Sequence, residues 1–284
     1  MKFYYINSRN ERVNFYEYPY IFQEGNLLDY EYSYTKIEGQ YFNTVKNIKK
    51  GIQERNIKIA VAADARLTLA ERKNLYKAAV NHLLEVVDYD VISGVNGRIC
   101  TDTGYYLECQ IIASNKTKWE IGAAFMYNTL KVLIPNYAWI KNEEKQFYPQ
   151  TEPYALSGLD FATDFPFDFA SNDAGTALWS IDHYASSHFE MIIYGPCVNP
   201  RVLINGYPYQ IFTQLESNDY LIINSRDHTV TKYLANGTTA NIYNSRQFTP
   251  SVFEKIPGGQ LTFNWTGDFG FDLVLYVERS EPKW

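Results

Sequence analysis

Cysteine is scarce in this sequence, with three residues, Cys100, Cys109 and Cys197, in a chain of 284. Their spacings fit neither a disulfide framework nor a structural zinc site. We therefore expect three buried, reduced thiols that carry no redox chemistry. The sequence likewise gives no reason to expect a bound metal or any other cofactor.

Long apolar runs are also missing. A membrane-spanning helix needs about 18 or more consecutive apolar residues, and the sequence has no such stretch. The opening segment, "MKFYYINSRNERVNF", has neither the apolar core nor the small-residue cleavage site of a secretory signal. The sequence therefore predicts no membrane insertion, no export by the general secretory route, and synthesis in a cytoplasm.

Basic charge is limited as well. The chain has 26 Lys and Arg residues against 32 Asp and Glu residues, which gives a formal net charge of -6. Proteins that bind nucleic acid through phosphate contacts concentrate Lys and Arg on one surface, and no basic stripe is visible here. We expect no specific nucleic-acid binding.

Catalytic motifs are absent too. Among the four histidines, His183 and His188 lie five residues apart, a spacing that shares neither a helix face nor a strand face. The GxSxG, HExxH, Walker and GxGxxG patterns do not occur. A pair of carboxylates for glycoside cleavage has four candidates, all in the segment between the two halves of the chain, where acidic residues beside phenylalanines ordinarily act as solubilising spacers: Asp160, Asp164, Asp168 and Asp173. The chain is therefore predicted not to be an enzyme.

Aromatic residues, by contrast, are abundant. They make up 17% of the chain, with 25 tyrosines and 17 phenylalanines. Half-buried β-strands favour aromatic residues, and so do contact surfaces, where a rigid ring with a polar tip binds at low entropic cost. The excess therefore indicates a β-rich protein, a protein that binds others, or both.

The second half of the sequence has the pattern of an antiparallel β structure. Apolar residues recur with a period of two in "FDLVLYVE" and again in "QLTFNWTG", as expected of strands with one buried side. Further strand-like runs are bounded by turn pairs such as Asn205-Gly206 and Asn236-Gly237. Seven or more short strands at this spacing predict a sandwich or a barrel.

The first half mixes strands with one helix. Thr68 and Glu71 form a capping box before an apolar stripe, which predicts a helix over about residues 68–87 that packs on a sheet. Candidate strands lie on both sides of this helix. The segment Asn43–Arg55 is compatible with either a loop or a short basic helix.

Between the halves, aspartates alternate with phenylalanines in "PYALSGLDFATDFPFDFASNDAG" without a helical or strand period. So many aromatic rings favour an ordered, extended connector that lies in a seam between domains. We therefore predict a mainly β fold with a minor α part, divided into an N-terminal β-domain over 1–150 and a connector plus β-sandwich over 151–284.

Seven segments follow one another along the chain: "FYYINSRNERVNF", "NIKIAVAADARLTLAERKNLYKAAVNHLL", "GRICTDTGYYLECQII", "YGPCVNPRVLINGYPY", "TKYLANGTTANIYN", "VFEKIPGGQLTFNW" and "ERSEPKW". In their order, this set of segments resembles the distal tail proteins of long-tailed phages that infect Gram-positive bacteria. The resemblance spans nearly the whole chain, and the order of the segments carries it.

The resemblance implies a galectin-like C-terminal sandwich and a structural role without catalytic residues. Members of the family form a homohexameric ring at the tip of the tail tube, in phages, prophages and phage-tail-like particles. There they join the tail tube protein to the tail-associated lysin or tail-tip protein and to receptor-binding proteins. The chain lacks the long inserted arm and the sugar-binding modules of some members, which predicts a minimal baseplate hub at the distal end of a virion tail.

Six aromatic residues are the candidates for contacts between copies or between domains: Trp119, Trp139, Phe165, Phe167, Trp179 and Trp284. Trp284 ends the chain, and an exposed tryptophan leaves a large apolar ring without a partner. We expect Pro282 to stop ladder pairing and Trp284 to pack back onto the connector or the first domain; the alternative is a frayed terminus.

A carbohydrate-binding sandwich is the alternative to the structural role. Exposed aromatic rings on its strands would stack on the faces of cell-wall sugars, and the number of aromatics alone does not separate the two functions. The rings available for such stacking are Trp179, Tyr184, Tyr207 and Tyr209.

Overall fold

The computed structural model describes four ranges of the chain: 1–64, 66–119, 125–150 and 175–284. Strands dominate these ranges, which contain a single α-helix. The predicted mainly β fold with a minor α part is therefore confirmed. Within the described ranges, no helix combines the length and the apolar character needed to cross a membrane.

Packing divides the chain into two compact units. The first unit comprises Met1–Lys141 together with Glu278–Trp284, and the second comprises Asn142–Val277. The division differs from the boundary expected at residue 150, because it falls inside a strand and because the last residues of the chain return to the first unit. Domain boundaries are recognised in a sequence by the Pro-, Gly- or polar-rich composition of a linker. A boundary inside a strand has no such linker, so the sequence gives no sign of it.

The first unit is built on an antiparallel sheet. Its elements are β1 (Phe3–Ile6), β2 (Arg12–Asn14), β3 (Tyr16–Glu17), β4 (Tyr20–Gly25), β5 (Ser33–Glu38), β6 (Asn43–Lys49), β7 (Gln53–Ala62), helix α1 (Leu69–Ser93), β8 (Gly97–Thr101), β9 (Tyr106–Thr117), β10 (Phe125–Ile134) and β11 (Trp139–Phe147). The strand order is β11-β9-β10-β7-β4-β3, with β1 pairing to β2 and β8. β5 and β6 pair only with each other among the described residues.

Helix α1 begins at the predicted capping box, since Thr68 accepts from the Glu71 N–H and the Glu71 carboxylate accepts from Thr68. It continues past the expected end to Ser93, because the stop signal is Gly94, whose φ of +66° suits a residue without a side chain. The buried face starts only at the third turn of the helix and comprises Ala79, Leu83, Val86 and Val87, packed against the apolar side of the sheet. Leu69 and Leu75, apolar residues of the first two turns, are exposed.

A buried carboxylate fixes the end of this helix to the N-terminal strand. Asp90 is fully buried and accepts hydrogen bonds from the Tyr5 hydroxyl and from the Ser8 N–H and hydroxyl, the last two at 2.9 and 2.6 Å. Burial, together with the bond to Asp90, raises the pKa of Tyr5 and keeps its hydroxyl a donor. The network satisfies both oxygens of Asp90 without a cation.

The second unit is an antiparallel β-sandwich, as predicted. Its first sheet has the order β20-β19-β18-β13-β22, its second the order β12-β21-β15-β16, and β14 pairs with β17. The strands are β12 (Gly175–Ile181), β13 (His188–Tyr194), β14 (Cys197–Val198), β15 (Arg201–Ile204), β16 (Tyr207–Gln210), β17 (Gln214–Leu215), β18 (Tyr220–Asn224), β19 (Thr229–Tyr233), β20 (Thr239–Asn241), β21 (Gly259–Trp265) and β22 (Phe271–Arg279).

The core of the sandwich lies between its two sheets. Phe189 and Leu273 from the first sheet share one apolar cluster with Val202 and Phe263 from the second. In β22 the buried and half-buried residues alternate along the strand, as the period of two predicts. The ring of Phe147 stacks on Phe271 with the two centroids 4.4 Å apart, inside the same core.

The three cysteines are free and buried, as expected from their spacing. Burial raises the pKa of each thiol, in the case of Cys197 to about 11. Each therefore stays a neutral thiol near pH 7, which agrees with a structural role in the core.

Candidate assembly surface

The most exposed element of the first unit is the β5–β6 hairpin, Ser33–Lys49, called the exposed hairpin below. Every residue of its two strands is exposed. The strands pair with Ile37 opposite Thr44 and Glu38 opposite Asn43, and the Gly39 N–H closes the turn on the Phe42 carbonyl at 3.1 Å. No side chain of either strand is buried, so the pairing lacks the apolar face that holds the other hairpins of the unit.

Local interactions in the exposed hairpin are few. The Ser33 hydroxyl donates to the Lys49 carbonyl at 3.0 Å, and Lys36 lies 2.9 Å from Glu38. That ion pair joins two exposed side chains and contributes at most about 1 kcal/mol. The register shifts between Ser33 and Thr35, and Asn47 takes a positive φ of 53°. A two-stranded hairpin of this kind is marginally stable in water by itself.

Large apolar side chains cover the exposed hairpin. Tyr41 and Phe42 at the turn are 88% and 76% exposed. Ile37 and Val45 lie on opposite faces, because Ile37 stands opposite Thr44 and neighbouring residues of a strand alternate sides. The set that we call the hairpin patch comprises Tyr34, Ile37, Tyr41, Phe42, Val45 and Ile48, all exposed.

The base of the exposed hairpin is anchored, unlike its tip. Tyr30 and Tyr32 meet edge to face at 5.8 Å, and the Lys50 ammonium lies 5.3 Å from the Tyr32 ring centroid. The Gln53 amide donates to the Glu31 carbonyl at 2.7 Å. These contacts fix where the hairpin leaves the unit.

The hairpin also differs in charge from the rest of the chain. The segment 33–52 holds four lysines and one glutamate, which gives it a net charge of +3 within a chain of net charge -6. The remainder of the chain therefore carries -9. This contrast gives the hairpin a long-range attraction to acidic surfaces.

The tryptophans singled out in the sequence occupy different environments. Trp119 is 62% exposed, and Trp179 is half-buried against the core of the sandwich. Trp139 is 0% exposed and lies in the core of the first unit. Ile140, the next residue of β11, is buried as well. Trp139 is therefore a core residue rather than a surface one. Phe165 and Phe167 lie outside the described residues.

The C-terminal tryptophan does not pack as expected, since the Trp284 side chain is 84% exposed. The tail nevertheless belongs to the first unit. Pro282 is buried, and the Ser280 hydroxyl lies 3.2 Å from the Tyr32 hydroxyl beside the base of the hairpin. Ser280 therefore contacts the first unit and Pro282 is buried, whereas the Trp284 ring is exposed. β22 ends at Arg279, before Pro282, as predicted.

The rings proposed for sugar stacking do not form one platform. Tyr209 is 1% exposed and donates its hydroxyl to the Glu254 carbonyl at 3.0 Å. Tyr207 is half-buried and donates to the Ser251 carbonyl at 2.9 Å, whereas Tyr184 is exposed. Two of the four rings are thus committed to packing within the sandwich.

The candidate carboxylates for catalysis, Asp160, Asp164, Asp168 and Asp173, lie outside the described residues. Elsewhere in the described chain, no group of three or more His, Cys, Asp or Glu residues is arranged to hold a metal.

A recess of about 310 Å³ in the sandwich is lined by Tyr148, Tyr194, Asp268 and Asp272 among others. The Tyr194 hydroxyl donates to Asp272 at 2.8 Å, and burial together with that carboxylate raises the pKa of Tyr194 to about 12. A tyrosine with that pKa stays protonated near pH 7.

The two-unit architecture can be compared with solved structures. The chain is similar to the Dit protein (gp 19.1) of phage SPP1, described as a paradigm of the hub adsorption apparatus in phages that infect Gram-positive bacteria, with a TM-score of 0.60 and 9% identity over 96% of this chain and 98% of that one. The chain has the fold of a phage tail hub protein.

A second similarity points the same way. Chains in structures of the phage P2 baseplate, in its activated conformation with Ca and with Sr, match with a TM-score of 0.59 and 12% identity over 99% of both chains. The sequence matches no protein-family model and no curated protein. At these identities the likeness to hub and baseplate proteins shows the fold and assigns no role to any single residue.

The sequence pattern did not predict the exposed hairpin. Asn43–Arg55 was compatible with a loop or a basic helix, yet its first part is strand β6 and its last part opens β7. One feature of the sequence could have identified it. The segment is rich in Tyr, Phe and Ile, but its apolar residues do not recur with the period of a strand or helix that packs one face on a core. That combination indicates a surface that binds another molecule.

Proposed function

We propose that this chain is a structural hub protein of a phage tail, which forms a ring at the distal end of the virion and acts by assembly rather than by turnover. The observation that carries the proposal is the fold match over 96–99% of the chain to hub and baseplate proteins. A match across both units is specific to their combination, whereas a β-sandwich alone hosts many functions.

In this proposal six copies close a ring that joins the tail tube protein to the tail-tip protein or tail-associated lysin and to receptor-binding proteins. The N-terminal part, about 1–150, forms the ring, and the C-terminal part, about 151–284, faces the attached proteins. A ring needs a heterologous contact, in which one surface of a subunit meets a different surface of the next. The hub is made in the cytoplasm of the bacterial host.

The experiment is a mass measurement by size-exclusion chromatography with light scattering, followed by negative-stain electron microscopy. We expect a species of six subunits with a central channel. Antibody against the chain should label the distal end of tails in particles from the source strain. A strict monomer that binds purified cell-wall glycan would support the carbohydrate-binding alternative instead.

A further inference from the structure

We propose that the recess of about 310 Å³ in the sandwich, called the tyrosine recess below, binds an organic ammonium cation, which is a primary amine in its charged form. Its lining includes Tyr148, Tyr194, Asp268 and Asp272. The inference goes beyond the hub function, because it does not depend on ring formation. It rests on the charge of the recess, on its aromatic walls and on its size.

The charge of the tyrosine recess is negative. Asp268 and Asp272 are among the residues that line it, and no Lys, Arg or His is among them. Asp272 accepts from the Tyr194 hydroxyl at 2.8 Å, and Asp268 accepts from the Thr266 hydroxyl, each through one oxygen. The second oxygen of each carboxylate has no hydrogen-bond donor among the described residues. Both carboxylates can therefore accept from the N–H groups of a cation.

Two tyrosine rings supply a second attraction for a cation. Tyr148 is 71% exposed and Tyr194 is 40% exposed, so both present ring surface to solvent. The face of an aromatic ring attracts a cation that lies within about 6 Å of the ring centre. A lining that combines carboxylates with ring faces therefore favours a cation over a neutral ligand of the same size.

The walls of the tyrosine recess are held in place by the protein itself. The Tyr194 hydroxyl is fixed by the hydrogen bond given above, and the Tyr148 hydroxyl donates to the Gln146 side chain at 2.8 Å. Phe147, which also lines the recess, is buried in the core of the sandwich. Gly270 packs so closely against Phe147 that a Cβ there would lie 3.0 Å from the Phe147 carbonyl oxygen. A site built in advance loses less conformational entropy when a ligand binds.

The size of the tyrosine recess favours an ammonium group over a metal ion. Ligand pockets range from about 300 to 1,000 Å³, so this recess suits a small molecule or a single long side chain. Mg²⁺ and Ca²⁺ need about six to eight oxygen ligands. Within the described residues, no three His, Cys, Asp or Glu side chains come together to supply them. An ammonium group has three N–H donors, and two carboxylates with ring faces beside them satisfy it.

The test uses ligand-observed saturation-transfer NMR on the full chain, because this method detects weak binding to a monomer and to a ring alike. The probes are n-pentylamine, which is a cation at pH 7, and its neutral analogue n-pentanol. We expect saturable binding of pentylamine and at least about ten-fold weaker binding of pentanol, since pentanol makes no charged hydrogen bond to the carboxylates. A third probe, the blocked tripeptide acetyl-Gly-Lys-Gly-amide, carries the same ammonium group on a peptide.

Four single variants locate the site. Asp272→Asn removes one charge and keeps an acceptor for the Tyr194 hydroxyl, and it should weaken pentylamine binding about ten-fold. Tyr148→Ser removes an exposed ring and should weaken binding about three-fold. The controls Asp227→Asn and Tyr184→Ser remove an exposed carboxylate and an exposed ring of the second unit that do not line the recess, so binding should stay unchanged. Thermal melting checks that all four variants stay folded.

The outcomes are separate from those of the hub proposal. Equal binding of pentylamine and pentanol would overturn the choice of a cation, and unchanged binding in both Asp272→Asn and Tyr148→Ser would overturn the location. If pentylamine at a concentration on the order of 10 mM does not bind, the site itself is overturned while the hub function survives, because the mass of the assembly tests that function separately.

The tripeptide distinguishes two sources of the ammonium group. If the tripeptide binds at least as tightly as pentylamine, the recess takes a lysine side chain of a companion protein. If pentylamine binds and the tripeptide does not, the recess takes a free small amine. Both results support an ammonium site.

Discussion

Two hairpins in this chain are both antiparallel strand pairs but differ in burial. In the sandwich, β18 and β19 pair with Leu221, Ile223 and Val230 fully buried. In the exposed hairpin, the two strands pair with a register shift between Ser33 and Thr35 and bury nothing. Strand pairing therefore sets the shape of a hairpin, whereas burial of one face decides whether the hairpin is stable alone.

Hydrogen exchange should give the largest difference between them. In dilute protein, the amides of β18 and β19 should exchange only by global unfolding, and those of β5 and β6 by local opening at little cost. With a global stability of about 5–15 kcal/mol, the rates should differ by on the order of 10³-fold or more. Equal protection of both hairpins in dilute protein would show that the exposed hairpin is stable without a buried face.

A matched pair of substitutions is the next test. Ile223 is 0% exposed and Ile48 is 64% exposed. Ile223→Ala should lower the free energy of unfolding by about 2–5 kcal/mol through lost burial and a residual cavity. Ile48→Ala, measured on monomeric protein, should change it by no more than about 0.5 kcal/mol. Denaturant titration measures both, and a large cost for Ile48→Ala would show that the hairpin packs within its own chain.

A buried and an exposed carboxylate of helix α1, Asp90 and Asp88, allow a similar comparison of stability. Asp90→Ala leaves the Tyr5 hydroxyl and the Ser8 N–H without their buried acceptor, so it should cost about 1–3 kcal/mol. Asp88, exposed on the same helix, is the control, and Asp88→Ala should change stability by less than about 0.5 kcal/mol. Thermal melting should separate the two variants clearly, and equal melting temperatures would refute the role given to the Asp90 network.

Acidification should affect only the stable hairpin. Asp219 precedes β18, lies 2.9 Å from Lys232 in β19 and accepts from the Ala235 N–H at 3.0 Å. The bond to Lys232, helped by the Ala235 amide, holds the pKa of Asp219 below its usual value. Its contribution to stability is therefore complete above the unfolded-state pKa of about 3.9 and is lost as the pH falls through the lowered value.

The Asp219→Asn variant should accordingly lose less stability than the wild type between about pH 5 and pH 2. The Lys36–Glu38 pair of the exposed hairpin supplies the control, because both side chains face solvent. Glu38→Gln should leave the pH dependence of unfolding unchanged. Parallel pH curves for wild type and Asp219→Asn would count against this role of Asp219.

The sequence predicted those parts of the fold in which burial leaves a pattern. The period of two identified β22 and β21, and the capping box at Thr68 identified the start of α1. Both signals exist because one side of each element meets a core. The end of α1 was less accurate, because the apolar stripe weakens before the stop at Gly94.

The candidate surface could not be predicted in the same way. In β6, "NTVKNIK", neither face turns toward a core, so Val45 and Ile48 fall three residues apart with no period to read. The aromatic count told equally little about position, since Trp139 is a core residue and Trp119 a surface one. A surface that contacts another molecule changes the amino-acid composition of its segment but imposes no helix or strand period on it.

The three buried thiols have a practical consequence for anyone who wishes to watch this protein assemble. Cys100, Cys109 and Cys197 are shielded and neutral, so a maleimide dye added to the native chain should find no quick target. A cysteine engineered at the exposed Thr44 would then take the label alone. The native chain is thus a ready background for single-site fluorophores that report distances between neighbours.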